Sequence, residues 1–411
     1  MRALFIHQNF PGQFSHLSRH LALDPGNFVV GLGEKKAMDR LGNSLPGVRL
    51  AGYELPRNPT PGVHAYLRGM EGNVLRGQSV VRAGLALKQK GFVPDLVVAH
   101  AGWGEALYLR DIYPDAKIVG YTEFFYHATG KDVGFDPEFP TDFDRRFLLR
   151  TRNATQLVSL TGLDAGWSPT EWQKSLYPAE YQPRIEVIHE GVDTDRIRPD
   201  ETAIWTLPGG RVLTRNDEVL TLVNRHMEPY RGFHVFMRAL PAIQKARPNA
   251  VTLIVGDDLT GYGAAAPDGL TWRQAMLREL DGKLDLSRIH FLGPLPYPDF
   301  LRLLQVSRAH AYLTYPFVLS WSMLEAMASG CTLLASATPP VTEVVRHGEN
   351  GLLFDFFDRD ALAAQAIEVL AKPEAFAAVR EGARRTAVER YDQKTVTLPA
   401  QLAFVNRLLG R

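Results

Sequence analysis

Cysteine is nearly missing from this sequence: its 411 residues contain one, Cys331. A lone thiol excludes an intramolecular disulfide framework and fits a reducing compartment. It lies in the apolar run CTLLAS, the setting of a buried structural thiol rather than of a nucleophile. Long apolar stretches are missing as well. No uncharged apolar window reaches the roughly 18 residues that a membrane-spanning helix needs. The opening MRALFIHQNF enters a strand-like run without the longer apolar stretch of a signal peptide. A cytoplasmic protein is the expectation. Net charge is the third thing lacking: 46 Lys and Arg against 45 Asp and Glu leave +1. That excludes a global field able to recruit nucleic acid. Only the local distribution departs from neutrality. Residues 1–100 carry 12 basic and 6 acidic side chains, and residues 101–200 carry 11 and 17. The basic segment could face anionic lipid at the inner face of a membrane; a solvated face explains it equally well.

At this length a single hydrophobic core usually stops growing, so two domains are expected. Short apolar runs alternate with helix-period segments, the signature of βα units and parallel sheets. In the first half, strands are expected over 3–7, 28–32, 48–52, 95–100, 117–121, 156–160 and 184–188. In the second they are expected over 219–224, 251–256, 288–292, 309–313, 332–335 and 352–354. Amphipathic helices fit between them, for example 232–247 and 298–306. The stretch 195–217, DRIRPDETAIWTLPGGRVLTRND, is rich in Pro, Gly and charge, and reads as a linker. Two doubly wound Rossmann-like domains, 1–200 and 201–390, would then flank a hinge near residue 200. The segment 391–411 looks helical over 396–409 and is expected to cross back to the first domain. Ligands of open α/β sheets bind beyond the carboxyl ends of the strands, so a central cleft faced by both domains is the expected site.

Three constellations could carry chemistry there. In HQNFPGQFSHLSRHL, residues 7–21, Pro11 and Gly12 turn a strand into a helix. Gly12 permits close backbone approach, and a helix start favours anions; plain architecture also accounts for it. In VNRHMEPYRGFHVFMRAL, residues 223–240, Arg225 follows a strand and Arg231 opens a helix. Two guanidinium groups at a strand end suit a diphosphate, although two surface arginines would show the same spacing. In YPFVLSWSMLEAMASG, residues 315–330, Ser320, Trp321 and Ser322 start a helix whose free N–H groups suit phosphate. Glu325 lies one turn further among apolar neighbours. A carboxylate there needs a hydrogen-bonding partner, either a sugar diol or its own helix end.

The ordered set NRHMEPYRGFHVF, LIVGDD, IHFLGPLPYPDFLRLLQVSRAHAYLTYPF, LEAMASG and TEVVRHGENGLLF resembles glycosyltransferase family 4. SPTEWQKSLYP and IEVIHEGVDT are similar to that family's segments before the linker. The resemblance covers residues 150–390 closely and implies the GT-B fold, transfer with retention, and a nucleoside diphosphate sugar as co-substrate without a metal or other cofactor. It implies Arg225 and Arg231 on the donor diphosphate and Glu325 on the nucleotide ribose, as second carboxylate of the family's E-x7-E motif. It also implies Gly12 near the phosphates, with Gly256 and the stretch from His290 to Leu295 lining the base pocket. Two departures stand out. Phe317 occupies the position of the first motif carboxylate, with Ser320 where a glycine is usual. The family's His after the fifth strand is missing from VGYTEFFYHATGKDVGFDPEFP, which offers Glu123, Tyr126 and His127 instead.

The expectation is therefore a retaining glycosyltransferase, hexosyl or pentosyl. Arg225, Arg231 and the helix start at Ser320–Ser322 would stabilise the leaving diphosphate. Glu123 or His127 would stand nearest the reaction, and the acceptor would bind near Gly12, His100 and Trp103. A glycan, lipid-linked or lipopolysaccharide-type acceptor follows from family type. A GT-B epimerase or phosphorylase would share this architecture, and Phe317 leaves a non-catalytic nucleotide-sugar-binding subunit open.

Overall fold

A computed structural model of the chain describes residues 1–42 and 44–411. The chain forms two compact units, Met1–Gly191 with Gln393–Arg411, and Val192–Asp392.

In the first unit the apolar runs become β1 (Arg2–Ile6), β2 (Phe28–Glu34), β3 (Val48–Tyr53), β4 (Leu96–His100), β5 (Lys117–Tyr121), β6 (Ala165–Ser168) and β7 (Ile185–Val187). They join in one sheet of order β3-β2-β1-β4-β5-β6-β7, every pair parallel. Leu4 pairs with Val30 on one side and Val97 on the other. Strands covered on both faces read as unbroken apolar runs, and alternate residues feed opposite cores. Phe5, Val98 and Val119 enter one; Leu4, Val97 and Ile118 enter the other. The helix Leu398–Leu409 joins the first of these through Leu398, Phe404 and Val405. Phe404 meets Trp167 of β6 at 5.5 Å between ring centres.

One expected strand is a helix. Residues 156–160 lie within the helix Ala154–Thr161, which buries Thr155, Gln156, Ser159 and Leu160 and leaves Leu157 and Val158 exposed. That is the i, i+1, i+4, i+5 face of a helix, which a short apolar run does not separate from a buried strand. The strand itself is the following AGWS, β6, whose small residues hid it: a Cβ on Gly166 would lie 3.1 Å from Thr122.

In the second unit the strands are β8 (Trp205–Thr206), β9 (Val212–Leu213), β10 (Val219–His226), β11 (Val251–Asp257), β12 (Ile289–Gly293), β13 (Ala309–Tyr312), β14 (Thr332–Ser336) and β15 (Leu352–Phe354). Six of them form a parallel sheet of order β12-β11-β10-β13-β14-β15. The expected linker 195–217 is folded into this unit. It holds the antiparallel pair β8–β9, and its Ile197, Ala203, Leu207 and Leu213 sit in the unit's core. Sparse apolar residues without a period were enough once a turn at Gly209 and Gly210 brought them to one side. The helices expected over 232–247 and 298–306 are Phe233–Ala246 and Tyr297–Val306. Among the described residues no helix is long and apolar enough to cross a membrane.

Both sheets reverse their strand order at one point, between β1 and β4 in the first unit and between β10 and β13 in the second. Two Rossmann-like α/β units of this kind constitute the GT-B architecture, and their ligand crevices open where the order reverses.

Candidate active site

In the first unit the chain leaves β1 at His7 and leaves β4 at His100. These imidazoles lie 6.2 Å apart at the reversal point. Gly12 is held at φ +46°, and a Cβ there would stand 2.7 Å from the His7 ring. The close approach foreseen for Gly12 is thus made to His7. The His7 Nδ1 accepts the Asn9 N–H at 3.0 Å, so its Nε2 carries the proton of the neutral ring. That Nε2 is buried without a hydrogen-bond partner among the described residues. Burial, then the charge of His100, lowers the His7 pKa to about 3.

His100 accepts the Gly102 N–H at Nδ1, 3.0 Å away, and its Nε2 meets Glu123 Oε2 at 3.3 Å. The other Glu123 oxygen accepts from the Gln13 amide at 3.1 Å, and the Gln173 amide donates to the Glu123 carbonyl at 2.6 Å. Burial alone would raise the Glu123 pKa, but the His100 hydrogen bond and charge, with Gln13, hold it below the usual value. It is therefore a carboxylate at neutral pH, oriented by His100 and Gln13, with Gln173 holding its backbone. Trp103 stacks on His100 at 3.9 Å. His100, Trp103 and Glu123 border a cavity of about 400 Å³, which Tyr126 also lines. His127 does not join them: its Nε2 is given to the Leu176 carbonyl at 2.8 Å. Gln13 and Glu105 were invisible in the sequence as site residues. Glu105 is buried and accepts the Gln8 N–H at 2.9 Å, fixing the turn after β1.

In the second unit Arg231 lies beyond β10, its Nη1 donating to the Thr314 hydroxyl at 2.8 Å and the Val318 carbonyl at 2.9 Å. Both partners are neutral, so the guanidinium is positioned while its charge is left uncompensated by them. Arg225 is exposed at the end of β10. The two arginines thus differ: one is anchored, the other points to solvent. Gly256 ends β11 at φ +144°, where a Cβ would lie 2.8 Å from the Asn224 carbonyl oxygen. His290 falls early in β12, opposite Leu253 in mid-sheet. Burial, then Arg211, lowers its pKa. It is therefore not brought to the carboxyl edge with the other candidates; the later residues of that strand are.

Two residues beyond Val318, Ser320 caps the helix Trp321–Ala328 by accepting the Ser322 N–H, and its own N–H goes to the Tyr312 phenol at 2.8 Å. Trp321 is exposed. Glu325 is buried on the inner side of this helix, and its Oε1 accepts from the Tyr297 hydroxyl at 2.7 Å. The polar neighbour its apolar surroundings demanded is thus a phenol from the next helix. Burial, opposed by that bond, raises the Glu325 pKa. Phe317 packs among aromatic rings, 4.7 Å from Tyr262 and 5.5 Å from Tyr230, with Arg231 5.6 Å over its face. Tyr262 is presented by a loop that the buried Glu228 carboxylate gathers, accepting N–H bonds from Gly261, Tyr262 and Gly263 at 3.1–3.2 Å. Glu228 and Tyr297 carried no sequence signal beyond their residue types.

Comparison with known proteins agrees with this layout. The profile described as Glycosyl transferase family 4 group matches residues 25–197, and that of Glycosyl transferases group 1 matches residues 211–386. Together the two matches support a family 4-like glycosyltransferase. The D-inositol 3-phosphate glycosyltransferase of Mycobacterium avium (strain 104) is 30% identical to this chain over 220 residues, 53% of this chain and 48% of that one. Its counterpart in Mycobacterium tuberculosis (strain H37Ra) is 28% identical over 272 residues, 65% of this chain and 49% of that one. The chain thus spans about half the length of the curated relatives it matches. Among solved structures, the sucrose-phosphate synthase of Thermosynechococcus elongatus superposes with a TM-score of 0.73 at 16% identity, over 100% of both chains. Anabaena Alr3699/HepE in complex with UDP-glucose gives 0.64 at 17% identity, over 99% of both. These superpositions establish the shared GT-B fold.

Proposed function

We propose that the enzyme transfers a sugar, with retention, from a nucleoside diphosphate sugar to a glycan, lipid-linked or other hydroxyl acceptor. The observation that carries this reading is Arg231, which neutral oxygens hold next to the Ser320-capped helix bearing Glu325. An anchored cation beside the positive end of a capped helix fits a diphosphate, and Glu325 with Tyr297 fits the ribose hydroxyls. Arg225, exposed at the end of β10, adds a second cation. In the first unit Glu123 receives the acceptor proton. The acceptor oxygen bonds to the anomeric carbon, the bond from that carbon to the diphosphate oxygen breaks, and its electron pair leaves with the nucleoside diphosphate. This scheme needs no metal and no further cofactor.

The UDP-glucose complex of Anabaena Alr3699/HepE supports a uridine donor as the first to test. A melting-temperature screen of UDP-, GDP-, ADP- and dTDP-sugars identifies the donor, because ligand bound to the native state raises the midpoint. Acceptor-dependent release of nucleoside diphosphate, with an α-configured product from an α-donor by NMR, is the expected result. Failure of all four donors to raise the midpoint or react overturns the reading. Phe317 sharpens the sugar. A hydroxyl left unpaired against its ring costs about 1–3 kcal/mol, and the Ser320 N–H is already committed to Tyr312. A deoxysugar or pentose donor is therefore expected to outperform the matching hexose. An exposed stripe on the helix Phe143–Arg152, formed by Phe143, Arg146, Phe147 and Arg150, supports peripheral attachment to an anionic membrane surface.

A further inference from the structure

The second unit carries a cavity of about 450 Å³ at the opposite edge of its sheet from Arg231. The helix Ala377–Tyr391 and residues 199–201 bound it, together with Arg215 and Gly330, which precede β10 and β14. Arg215, Arg380, Arg384 and Arg385 all line it. The first three are fastened by backbone carbonyls. Arg215 Nη1 donates to those of Gln305 and Ser329 at 3.3 and 3.2 Å, and its Nη2 to that of Gly330. Arg384 donates to those of Thr194 at 2.8 Å, Ala328 at 3.0 Å and Ile197. Arg380 donates to that of Pro373. Arg385 is exposed and has no hydrogen bond or ion pair from its guanidinium among the described residues.

Carbonyl oxygens anchor a cation without cancelling its charge, as Val318 and Thr314 do for Arg231. The tail of the helix Trp321–Ala328 offers Arg215 and Arg384 roughly half a negative charge between them. The carboxylates nearby answer little more. Glu201, Glu381 and Glu389 line the cavity but are exposed, and Asp200 Oδ1 accepts from the Thr202 N–H and hydroxyl at 2.9 and 2.7 Å. Arg380 meets Glu374 only at 3.9 Å, and that side chain is 90% exposed. Arg384 also feels the buried Asp392, whose carboxylate accepts from the Thr194 hydroxyl. Burial, then the charge of Arg215, lowers the Arg380 pKa, so the cations crowd one another. A guanidinium has five N–H donors, which leaves Arg380 and Arg385 several to spare. Pro199, Ala377 and Val388 give the same cavity an apolar wall. We propose that it is a second binding site, for a small organic phosphate, with the phosphate oxygens on Arg380 and Arg385 and the carbon skeleton against Val388 and Ala377. Two guanidinium groups suit phosphate in the bidentate fashion that Arg favours. Such a ligand is not the donor, whose candidate groups follow the other ends of the strands.

Calorimetry at constant ionic strength tests this with phenyl phosphate, its neutral match phenol, and inorganic phosphate. Each is titrated into the wild-type chain, Arg385→Glu and Arg380→Ala. Two further variants serve as controls. Arg231→Ala removes the donor-site cation, and Arg359→Glu makes the same charge change at an exposed arginine outside the cavity. Arg385 is exposed, so Arg385→Glu is expected to fold, and a melting curve checks every variant. Phenyl phosphate is expected to bind the wild type roughly tenfold tighter than phenol or inorganic phosphate, and to lose about tenfold in affinity in both cavity variants. Arg231→Ala and Arg359→Glu keep the wild-type affinity. No binding of phenyl phosphate, or equal binding of phenol, overturns the proposal. So does affinity that survives in Arg385→Glu, or that falls in Arg231→Ala and so places the anion in the donor crevice. Inorganic phosphate binding as tightly as phenyl phosphate overturns it too, by leaving the apolar wall without a role. The titrations need no transfer activity, so their outcome is separate from that of the transfer reading.

Discussion

The two units have the same sheet logic and opposite chemistry at the same address. In each, candidate residues follow the two strands that flank the reversal of strand order, β1 and β4 in one, β10 and β13 in the other. In the first unit the residues at that address, Gln13 after β1 and His100 at the end of β4, hold a carboxylate brought in from the end of neighbouring β5, Glu123. The second fills it with a guanidinium, Arg231, held by a hydroxyl and a carbonyl that leave its charge unanswered. Topology supplies a crevice; the residue types that follow the strands decide whether it takes a proton or an anion.

The sharpest way to break that contrast is Glu123→Gln. Acceptor-dependent transfer is expected to fall by roughly 10²- to 10⁴-fold, the usual contribution of a positioned base, while the donor dissociation constant stays put. A mutant that weakens donor binding and leaves turnover intact would put Glu123 on the wrong side of the comparison. Next in size, Arg231→Ala should raise the donor dissociation constant by about 10- to 150-fold, the loss of a charge-assisted contact of roughly 1.5–3 kcal/mol. It should also lower the melting temperature, since Thr314 and Val318 lose a partner. Arg225→Ala should weaken donor binding without that second effect, because Arg225 is exposed. Equal melting losses in both variants would erase the distinction between an anchored and an exposed cation.

Gly12→Ala tests backbone rather than charge. A side chain in the left-handed region costs about 1–2 kcal/mol, and the new Cβ must also displace the His7 ring. A lower urea midpoint is expected, with acceptor turnover falling and donor affinity unchanged. The smallest effect concerns acid. His7 in the first unit and His310 in the second are buried, each with its pKa lowered to about 3, by burial first. An unfolded His takes up its proton near pH 6.5. Between that pH and about 3 the unfolded chain binds more protons, so stability falls as pH falls through this window. His7→Asn should flatten the acid limb of the first unit's unfolding, and His310→Asn that of the second. If one substitution flattens both limbs, the units do not unfold separately.

Most strand runs were legible because parallel strands buried on both faces leave short unbroken apolar runs, the run at 156–160 being the one that proved helical, and the order of motifs pointed to the family. Arg225, Arg231, Ser320 and Glu325 were legible as candidates because they follow strand ends or open a helix. The acid–base group was legible only in part. Glu123 was placed, but His127 stood beside it in sequence with an equal claim, and the structure turns that ring to the Leu176 carbonyl.

By itself, then, the sequence determined where backbone would be extended, where it would coil, and which chemical types lay at strand ends, all of which depend on near neighbours. Tertiary structure alone decided the rest. It made 156–160 a helix and took 195–217 into a core, since both segments were too short or too irregular to carry their own period. It also chose partners. Gln13 reaches Glu123 across 110 positions, and Tyr297 reaches Glu325 across 28. A hydrogen bond depends on distance in space, and no local pattern records which distant donor the folded chain will bring within 3 Å of a carboxylate.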